Sequence, residues 1–215
     1  MNNDIEKQLR STLIAVEDLE DIQHHSSKPF GAVSSMREQA SVLVPLLKKA
    51  DDYHLLLTLR AANMRHHAGE VAFPGGMWEV GDRHLVDTAL RECEEEIAIP
   101  SADIHVIGAL DTMPTRRLTN VRPVVGILDN IDSVVASPEE IAEVFTVPLD
   151  FFKQDKRLRT DIFPHQTDKT VRWVPAFQYR GFEIWGFTAA VIVQLLRRSF
   201  DIRFSREHGA PEKIW

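Results

Sequence analysis

Cysteine and long apolar runs are the scarcest features of this sequence. Its 215 residues include one cysteine, Cys93, so no disulfide can form within the chain. A lone thiol fits a reducing compartment. No stretch reaches the roughly 18 consecutive apolar residues that a membrane-spanning helix needs, and the charged N-terminus lacks the apolar core of a signal peptide. We therefore expect a cytoplasmic protein with no membrane partner.

An excess of positive charge is also absent. The chain has 25 lysines and arginines against 32 aspartates and glutamates, a net charge of -7 at pH 7. Such a protein is poorly suited to bulk electrostatic binding of nucleic acid, so no nucleic-acid partner is expected. Binding of small anionic substrates is still possible where cationic side chains cluster or where metal ions bridge the protein and the substrate. The hydrophobic share of 44% suits one globular domain with a substantial core.

Hydrophobic spacing predicts an alternation of strands and helices. Helices are predicted over 4–17, from near Asp82 to before Pro100, over 137–145 and over 187–200. Strands are predicted over 40–47, 53–60, 70–73, 103–111, 121–129, 171–177 and 182–186, the first two as a hairpin. Residues 20–38 are interpreted as a connector, and the polar stretch 150–170 as a loop or lid. This order predicts an α/β (α+β) layered domain.

The second predicted helix carries a cluster of glutamates. At 100° per residue, Glu92, Glu95 and Glu96 share a face about 100° wide, while Glu94 lies on the opposite side. A separate apolar stripe is formed by Val86, Leu90, Cys93 and Ile97. Like charges at these spacings cost roughly 0.2–0.5 kcal/mol per pair, and the C-terminal end of a helix disfavours acids. A solvated acidic face is one interpretation, but these penalties favour a bound cation. Three carboxylates suit Mg²⁺ or Mn²⁺.

The sequence around this helix forms a recognisable motif. From Gly76 it reads G-x5-D-x8-R-E-x-x-E-E-x-A, which closely resembles the Nudix box, G-x5-E-x7-R-E-U-x-E-E-x-G-U with U aliphatic. It departs from the box in three ways. Asp82 replaces a glutamate, Ala98 replaces a glycine, and one extra residue lies between Asp82 and Arg91.

The segment before the box narrows the resemblance. "LLTLRAANMRHHAGEVAFPGG" (56–76) resembles the signature of the coenzyme A pyrophosphatase branch of the Nudix hydrolases, which also carries the extra residue. With "RPVVGIL", "EVFTVPL" and "IWGFTAA" further on, the resemblance covers about residues 40–196. It implies a Nudix-type α/β/α sandwich with a mixed β-sheet between helices. The domain would span 39–200, with an N-terminal helix and connector at 1–38 and a tail at 201–215.

The resemblance also implies roles for the box residues. Glu92, Glu95 and Glu96 would bind divalent cations that hold a diphosphate, with Glu95 or Glu96 taking a proton from the attacking water. Arg91 would orient one of the glutamates. Nudix enzymes often add a glutamate from outside the box, for which Glu140 and Glu143 are candidates, although Glu140 equally suits a capping box with Ser137.

Other residues are candidates for substrate binding. Gly75 and Gly76 would allow a tight turn that brings backbone N–H groups to the metal site. Arg60 and Arg65 would bind the phosphates or nucleotide, the alternative being surface salt bridges. Asp82 would contact the metal or cap the helix, with Glu79 as a substitute.

Three further features are assigned more briefly. The basic run of Lys153, Lys156, Arg157 and Arg159 would meet the 3′-phosphate of coenzyme A or belong to a solvated loop. His66 and His67 lack the neighbouring soft ligands that zinc requires. Cys93 lies on the apolar stripe and is interpreted as core.

The function implied by the resemblance is Mg²⁺- or Mn²⁺-dependent hydrolysis of coenzyme A or acyl-coenzyme A. The products would be 3′,5′-ADP and 4′-phosphopantetheine or its acyl form. One rival is hydrolysis of another nucleoside diphosphate derivative, such as ADP-ribose or NADH. A rival of another class is a non-catalytic nucleotide-sensing module. The sequence is also compatible with a homodimer.

Overall fold

The computed structural model describes residues 2–19, 39–49, 52–115, 119–164 and 171–215 of the chain. Its helices are α1 (Asn2–Thr12), α2 (Leu85–Ile97), α3 (Leu149–Lys153) and α4 (Gly186–Phe200). The first sheet contains β1 (Gln39–Lys49), β2 (Asp52–Arg60), β3 (Val71–Ala72), β4 (Gly75–Met77), β5 (His105–Ala109), β6 (Met113–Pro114), β7 (Asn120–Leu128) and β8 (Ile141–Pro148). The second contains β9 (Arg157–Pro164), β10 (Val171–Tyr179), β11 (Phe182–Ile184) and β12 (Glu212–Ile214). No helix within these ranges is long and apolar enough to cross a membrane.

The first sheet is mixed. β1 runs parallel to β7, and the other pairings in this sheet are antiparallel. The predicted hairpin of β1 and β2 is confirmed, with Leu46 opposite Leu55. β2 pairs along its length with β8, so that Arg60 at the end of β2 faces Ile141 at the start of β8.

Helices cover both faces of this sheet. One face packs against α2 through Val86, Ala89, Cys93 and Ile97, which meet sheet residues such as Leu43 and Leu56. The other face packs against α1 and α4, where Leu9, Ile192 and Leu196 meet Leu46 and Leu57. The runs of β1 and β2 are apolar on both sides because both sides are buried. This arrangement confirms the predicted sandwich.

The first predicted helix, 4–17, is too long at its C-terminus. α1 ends at Thr12, whose hydroxyl donates to the carbonyl of Gln8 at 3.0 Å. The chain then turns, and Ile14 forms an isolated bridge with Ala109 of β5. The connector predicted at 20–38 lies outside the described residues.

Two predictions after the box are wrong. Residues 137–145 were predicted to be helical, but the chain makes only one turn, in which Ile141 N–H donates to Ser137 O at 2.7 Å. It then continues as β8, because Val144, Phe145 and Val147 are β-favouring residues that pair with β2. The loop predicted at 150–170 is instead α3 and β9 where it is described.

The C-terminal residues complete the second sheet. β12 lies parallel to β9, with Lys213 opposite Asp161. The Trp215 ring stacks on Trp185 with centroids 4.4 Å apart. The tail at 201–215, to which the sequence assigned no function, is therefore ordered by strand pairing and ring stacking.

Candidate active site

The acidic helix has clear start and stop signals. At its beginning, the Asp87 carboxylate accepts the N–H of His84 at 3.1 Å, which satisfies a donor that has no partner within the helix. At its end, Ala98 adopts a left-handed conformation with φ 56°, and its N–H donates to Glu94 O. Glycine is the usual residue in that conformation, which explains why the box normally has glycine where this chain has Ala98.

The faces of α2 match the helical-wheel prediction. Cys93 and Ile97 are fully buried, and burial raises the pKa of the Cys93 thiol to about 12, as expected for an inert core residue. Glu94 and Glu95 are exposed, whereas Glu96 is only 4% exposed. A buried acid next to the core requires specific partners.

Glu96 has two partners from different strands. Arg60 Nη1 of β2 donates to its Oε1 at 3.1 Å, and the Gly75 N–H of β4 donates to its Oε2 at 3.2 Å. Burial raises the pKa of Glu96 to about 7, although Arg60 and the Gly75 N–H oppose that shift. Glu96 can therefore exchange a proton near neutral pH.

Glu92 lies under the chain at Gly76. A Cβ added at Gly76 would lie 2.6 Å from Glu92 Oε2, so a larger residue there would displace this carboxylate from its position. Burial raises the pKa of Glu92, with Arg91 acting in the opposite direction. Gly75 is constrained too, because a Cβ there would lie 2.6 Å from the Val42 Cα on β1. The tight turn predicted at these glycines is instead the short strand β4, paired with β1.

Arg91 connects the acidic residues of the box. Its Nε and Nη2 donate to Asp82 at 3.2 and 3.1 Å, and Nη2 also donates to Met77 O at 3.0 Å. Its Nη1 donates to Glu92 at 3.0 Å and to Glu95 at 3.1 Å. One guanidinium therefore contacts two glutamates of the box at once, and its orienting role stays a prediction.

Asp82 is a buried anchor for Arg91. Its Oδ2 also accepts the Glu79 N–H at 3.1 Å and the Thr88 hydroxyl at 2.9 Å. Burial raises the pKa of Asp82, but these hydrogen bonds outweigh burial and hold the pKa below its ordinary value. The shorter aspartate thus meets four donor groups. Sequence reasoning missed Thr88, six residues after Asp82, since only the fold brings the two together.

Of the two glutamates proposed from outside the box, Glu140 lies nearer to the box. Its Oε2 lies 3.9 Å from Arg60 Nη2 and is half exposed. Glu143 lies further along β8, opposite Leu59. Glu140 does not cap a helix as the alternative required, because the segment forms a turn and a strand.

The remaining candidates differ in their surroundings. Arg65 is exposed and has no hydrogen bond or ion pair within the described ranges. Arg157 is buried against Asp155, and Arg159 pairs with Asp161 and Glu183. The two arginines of the basic run are therefore already paired with acidic side chains. His67 Nδ1 lies 2.8 Å from Glu70 Oε2, and no cluster of metal ligands is found around His67 among the described residues.

The glutamates fit a hard divalent cation by their chemistry but are held by arginines. Across the described ranges, no three His, Cys, Asp or Glu side chains stand around one point as ligands. Arg91 holds Glu92 and Glu95, and Arg60 holds Glu96. All three offer oxygen ligands, and the raised pKa values of Glu92 and Glu96 mark buried negative charge that a cation would stabilise.

Comparison with known proteins decides the family. The NUDIX domain family matches residues 37–179. The uncharacterized Nudix hydrolase NudL of Citrobacter koseri is 39% identical over 74% of this chain and 81% of its own length. NudL of Pectobacterium atrosepticum is 40% identical over 77% and 84%. The chain belongs to the Nudix hydrolase family. Nudix hydrolases generally use divalent metal ions such as Mg²⁺.

The fold has a counterpart among solved structures. The crystal structure of a MutT/nudix family protein from Enterococcus faecalis superposes with a TM-score of 0.51 at 15% identity, covering 94% of this chain and 75% of the other. This likeness concerns the fold alone. In the Nudix family, the segment from Gly76 to Ala98 is the box described above, with its three departures.

Proposed function

We propose that this Nudix hydrolase cleaves the diphosphate of coenzyme A or its acyl thioesters, giving 3′,5′-ADP and 4′-phosphopantetheine or its acyl form. The observation that supports this most directly is the contact of Arg60 with Glu96. Arg60 belongs to the segment that resembles the coenzyme A signature, and Glu96 belongs to the box. The two motifs therefore meet in one site.

The arginines supply the substrate contacts. The Arg60 side chain is 18% exposed, and its buried Nε has no hydrogen-bond partner within the part of the chain that the structure describes. An orphaned buried donor is costly, and a phosphate oxygen would satisfy it. Arg65, which is exposed and has no ion pair among the described residues, lies five residues further along the loop that leaves β2. Together they favour an anionic substrate at the end of β2.

The glutamates divide the chemistry. Glu92, Glu95 and Glu96 would hold Mg²⁺ or Mn²⁺, which when bound neutralises the diphosphate and lowers the pKa of a bound water. Glu96, with a pKa of about 7, is suited to accept the proton of the attacking water. Glu140, near Arg60, is the second candidate for that proton. Arg91 keeps Glu92 and Glu95 in position without contacting the reacting atoms.

A substrate panel tests the proposal. The protein is incubated with coenzyme A, ADP-ribose and NADH, each with Mg²⁺ or Mn²⁺, and products are resolved by chromatography. We expect the highest kcat/KM for coenzyme A. A higher kcat/KM for ADP-ribose or NADH would contradict the proposal and identify that compound as the better substrate. Nucleotide binding without turnover of any substrate would favour the sensing module.

Matched variants on α2 separate catalysis from folding. Glu96→Gln should abolish most turnover, because it removes a metal ligand and proton acceptor while keeping the side-chain shape. Glu94→Gln is the control, since Glu94 is exposed on the other side of the same helix. Equal losses in both variants would show that charge on the helix, not the site, determines activity.

A further inference from the structure

A cavity lies along β8, away from the glutamates of the box. It has a volume of about 280 Å³ and is lined by Ile131, Glu143, Val144, Phe145, Thr146, Tyr179, Arg180 and Phe182. Apart from Ile131, which lies in the loop after β7, its residues come from β8 of the first sheet and from the β10–β11 hairpin of the second. The two sheets thus meet around it.

The wall of this cavity is aromatic. Phe145 and Phe182 stack with centroids 3.9 Å apart and planes inclined by 11°. Phe182 is directly opposite Tyr179 in the hairpin. Stacked rings of this kind provide a flat apolar surface on which a nucleobase can stack. Glu143 lines the same cavity, and its carboxylate can accept a hydrogen bond from the exocyclic amino group of a nucleobase.

Arg180 gives the cavity an unpaired cation. Its guanidinium lies 5.3 Å from the Tyr179 ring centroid, and it has no carboxylate partner in the described ranges. It occupies the hairpin turn with φ 50°, next to Gly181 with φ 93°. Asparagine, aspartate or glycine is favoured at such a position. An arginine held there at a backbone cost of about 1 kcal/mol is a reason to look for a ligand.

A second cation lies at the same edge. Lys49 Nζ donates to the Thr146 hydroxyl of the cavity at 3.5 Å. Burial lowers the pKa of the His54 imidazole, and the charges of Lys49 and Arg180 lower it further, so both cations lie near His54 on β2. Two cations, Lys49 and Arg180, therefore lie at this edge beside the carboxylates of Asp52 and Glu143, and these cations would attract a phosphate group.

The cavity is within reach of the glutamates along β8. Ile141 faces Arg60, and Glu143 faces Leu59. At about 3.3 Å per strand residue, Glu143 lies about 7 Å and Phe145 about 13 Å beyond Ile141. A diphosphate at Arg60 and Glu96 would thus direct one end of the substrate along β8 into the cavity.

We infer that this cavity binds the 3′-phosphorylated adenosine end of coenzyme A, with adenine against Phe182 and Phe145 and the 3′-phosphate at Arg180. The inference rests on the proposed function for the identity of the substrate. Arg180 takes the role that the sequence offered to the basic run, whose arginines are neutralised by aspartates and a glutamate. The pantetheine arm carries no charge for Arg180 and no ring for Phe182, so it would lie elsewhere.

A larger cavity elsewhere among the described residues does not suit this ligand. It measures about 490 Å³ and lies near α1 and the end of β7. Its wall includes the carboxylates of Glu6, Asp103 and Asp129 against one lysine, Lys48. Such a wall repels phosphate groups.

Paired substrates test the inference. Coenzyme A and dephospho-coenzyme A differ only in the 3′-phosphate. We expect Arg180→Gln to lower kcat/KM for coenzyme A by about 10- to 100-fold, the loss of a charge-assisted contact, and to change it little for dephospho-coenzyme A. Phe182→Ala should lower kcat/KM about 10-fold for both, because both contain adenine. Lys156→Gln, an exposed cation of the basic run, is the control and should not discriminate between the substrates.

Binding measurements separate this inference from the proposed function. Calorimetry of the wild-type protein should show tighter binding of adenosine 3′,5′-bisphosphate than of adenosine 5′-monophosphate, and Arg180→Gln should remove that difference. If the protein leaves coenzyme A intact, the proposed function fails. The titration then tests by itself whether the cavity binds a 3′-phosphorylated adenosine. Equal binding of the two nucleotides by the wild-type protein, or a discriminating loss in Lys156→Gln instead of Arg180→Gln, would overturn the assignment of Arg180.

Discussion

Arg60 on β2 and Glu96 on α2 form an ion pair of 3.1 Å that joins the segment before the box to the box itself. The pair has a chemical consequence, because Arg60 opposes the rise that burial causes in the Glu96 pKa. The arginine proposed to bind the substrate thereby lowers the proton affinity of the proposed base.

Arg60→Gln should shift the pH profile. Loss of the guanidinium raises the Glu96 pKa above about 7. Since Glu96 must be ionised to accept a proton, the acid limb of kcat/KM should move to higher pH. Arg65→Gln is the control: it should raise KM without moving the limb, because Arg65 has no ion pair with Glu96 within the described ranges. Identical limbs in wild type and Arg60→Gln would remove Glu96 from this step.

Glu96→Gln should stabilise the metal-free protein at alkaline pH. The folded-state pKa of about 7 lies above the ordinary 4.5, so the stability linked to the protonated acid is complete below the ordinary value and is lost as pH rises through 7. At pH 8 the variant avoids a buried charge and should gain about 1–3 kcal/mol, with a smaller gain at pH 5. Urea unfolding in the presence of a chelator measures the free energy of unfolding at both pH values. An equal effect at the two pH values would contradict the raised pKa.

Asp82→Asn should weaken both the fold and the metal site. The variant loses the charge that pairs with Arg91, at a cost of about 2 kcal/mol. Because the Asp82 pKa is lowered, this difference should be present near neutral pH and shrink below about pH 4. Mn²⁺ affinity should fall about 10-fold, since Arg91 positions Glu92 and Glu95. Asp132→Asn, an exposed loop variant, should change neither quantity.

Ala98→Gly should stabilise the protein by about 0.5–1 kcal/mol. Ala98 has φ 56°, a conformation in which an alanine Cβ is strained and glycine is not. Ala102→Gly is the control, because Ala102 is exposed and does not have positive φ. Thermal unfolding should place the two changes in opposite directions. Destabilisation by Ala98→Gly would show that Ala98 contributes contacts that exceed its strain.

The parts of the fold with regular periodicity could be predicted from the sequence. The hairpin of β1 and β2 and the helix α2 follow from apolar runs and helical spacing, and the spacing placed Glu94 away from the other glutamates. The prediction for residues 137–145 was wrong, because Ser137 and Glu140 resemble a capping box. The chain instead forms a strand that pairs with β2. Tertiary pairing overrode the local signal.

Buried charge explains the other failures. The stretch from Arg157 to Asp161 is polar, which predicted a loop, but Arg157 and Asp161 are buried in β9 with their partners. The sequence could not show those pairs, nor the four donor groups around Asp82. It also gave no signal for Arg180, whose proposed role depends on the cavity that β8 and the β10–β11 hairpin form together.

The most direct test of the account is identification of the products formed from coenzyme A by wild type and Glu96→Gln in the presence of Mg²⁺. Mass-resolved chromatography should yield 3′,5′-ADP and 4′-phosphopantetheine in equal amounts from the wild-type protein. Glu96→Gln should yield almost none while retaining its fold by circular dichroism. Intact coenzyme A after incubation with the wild-type protein, under conditions in which ADP-ribose or NADH is hydrolysed, would contradict the account.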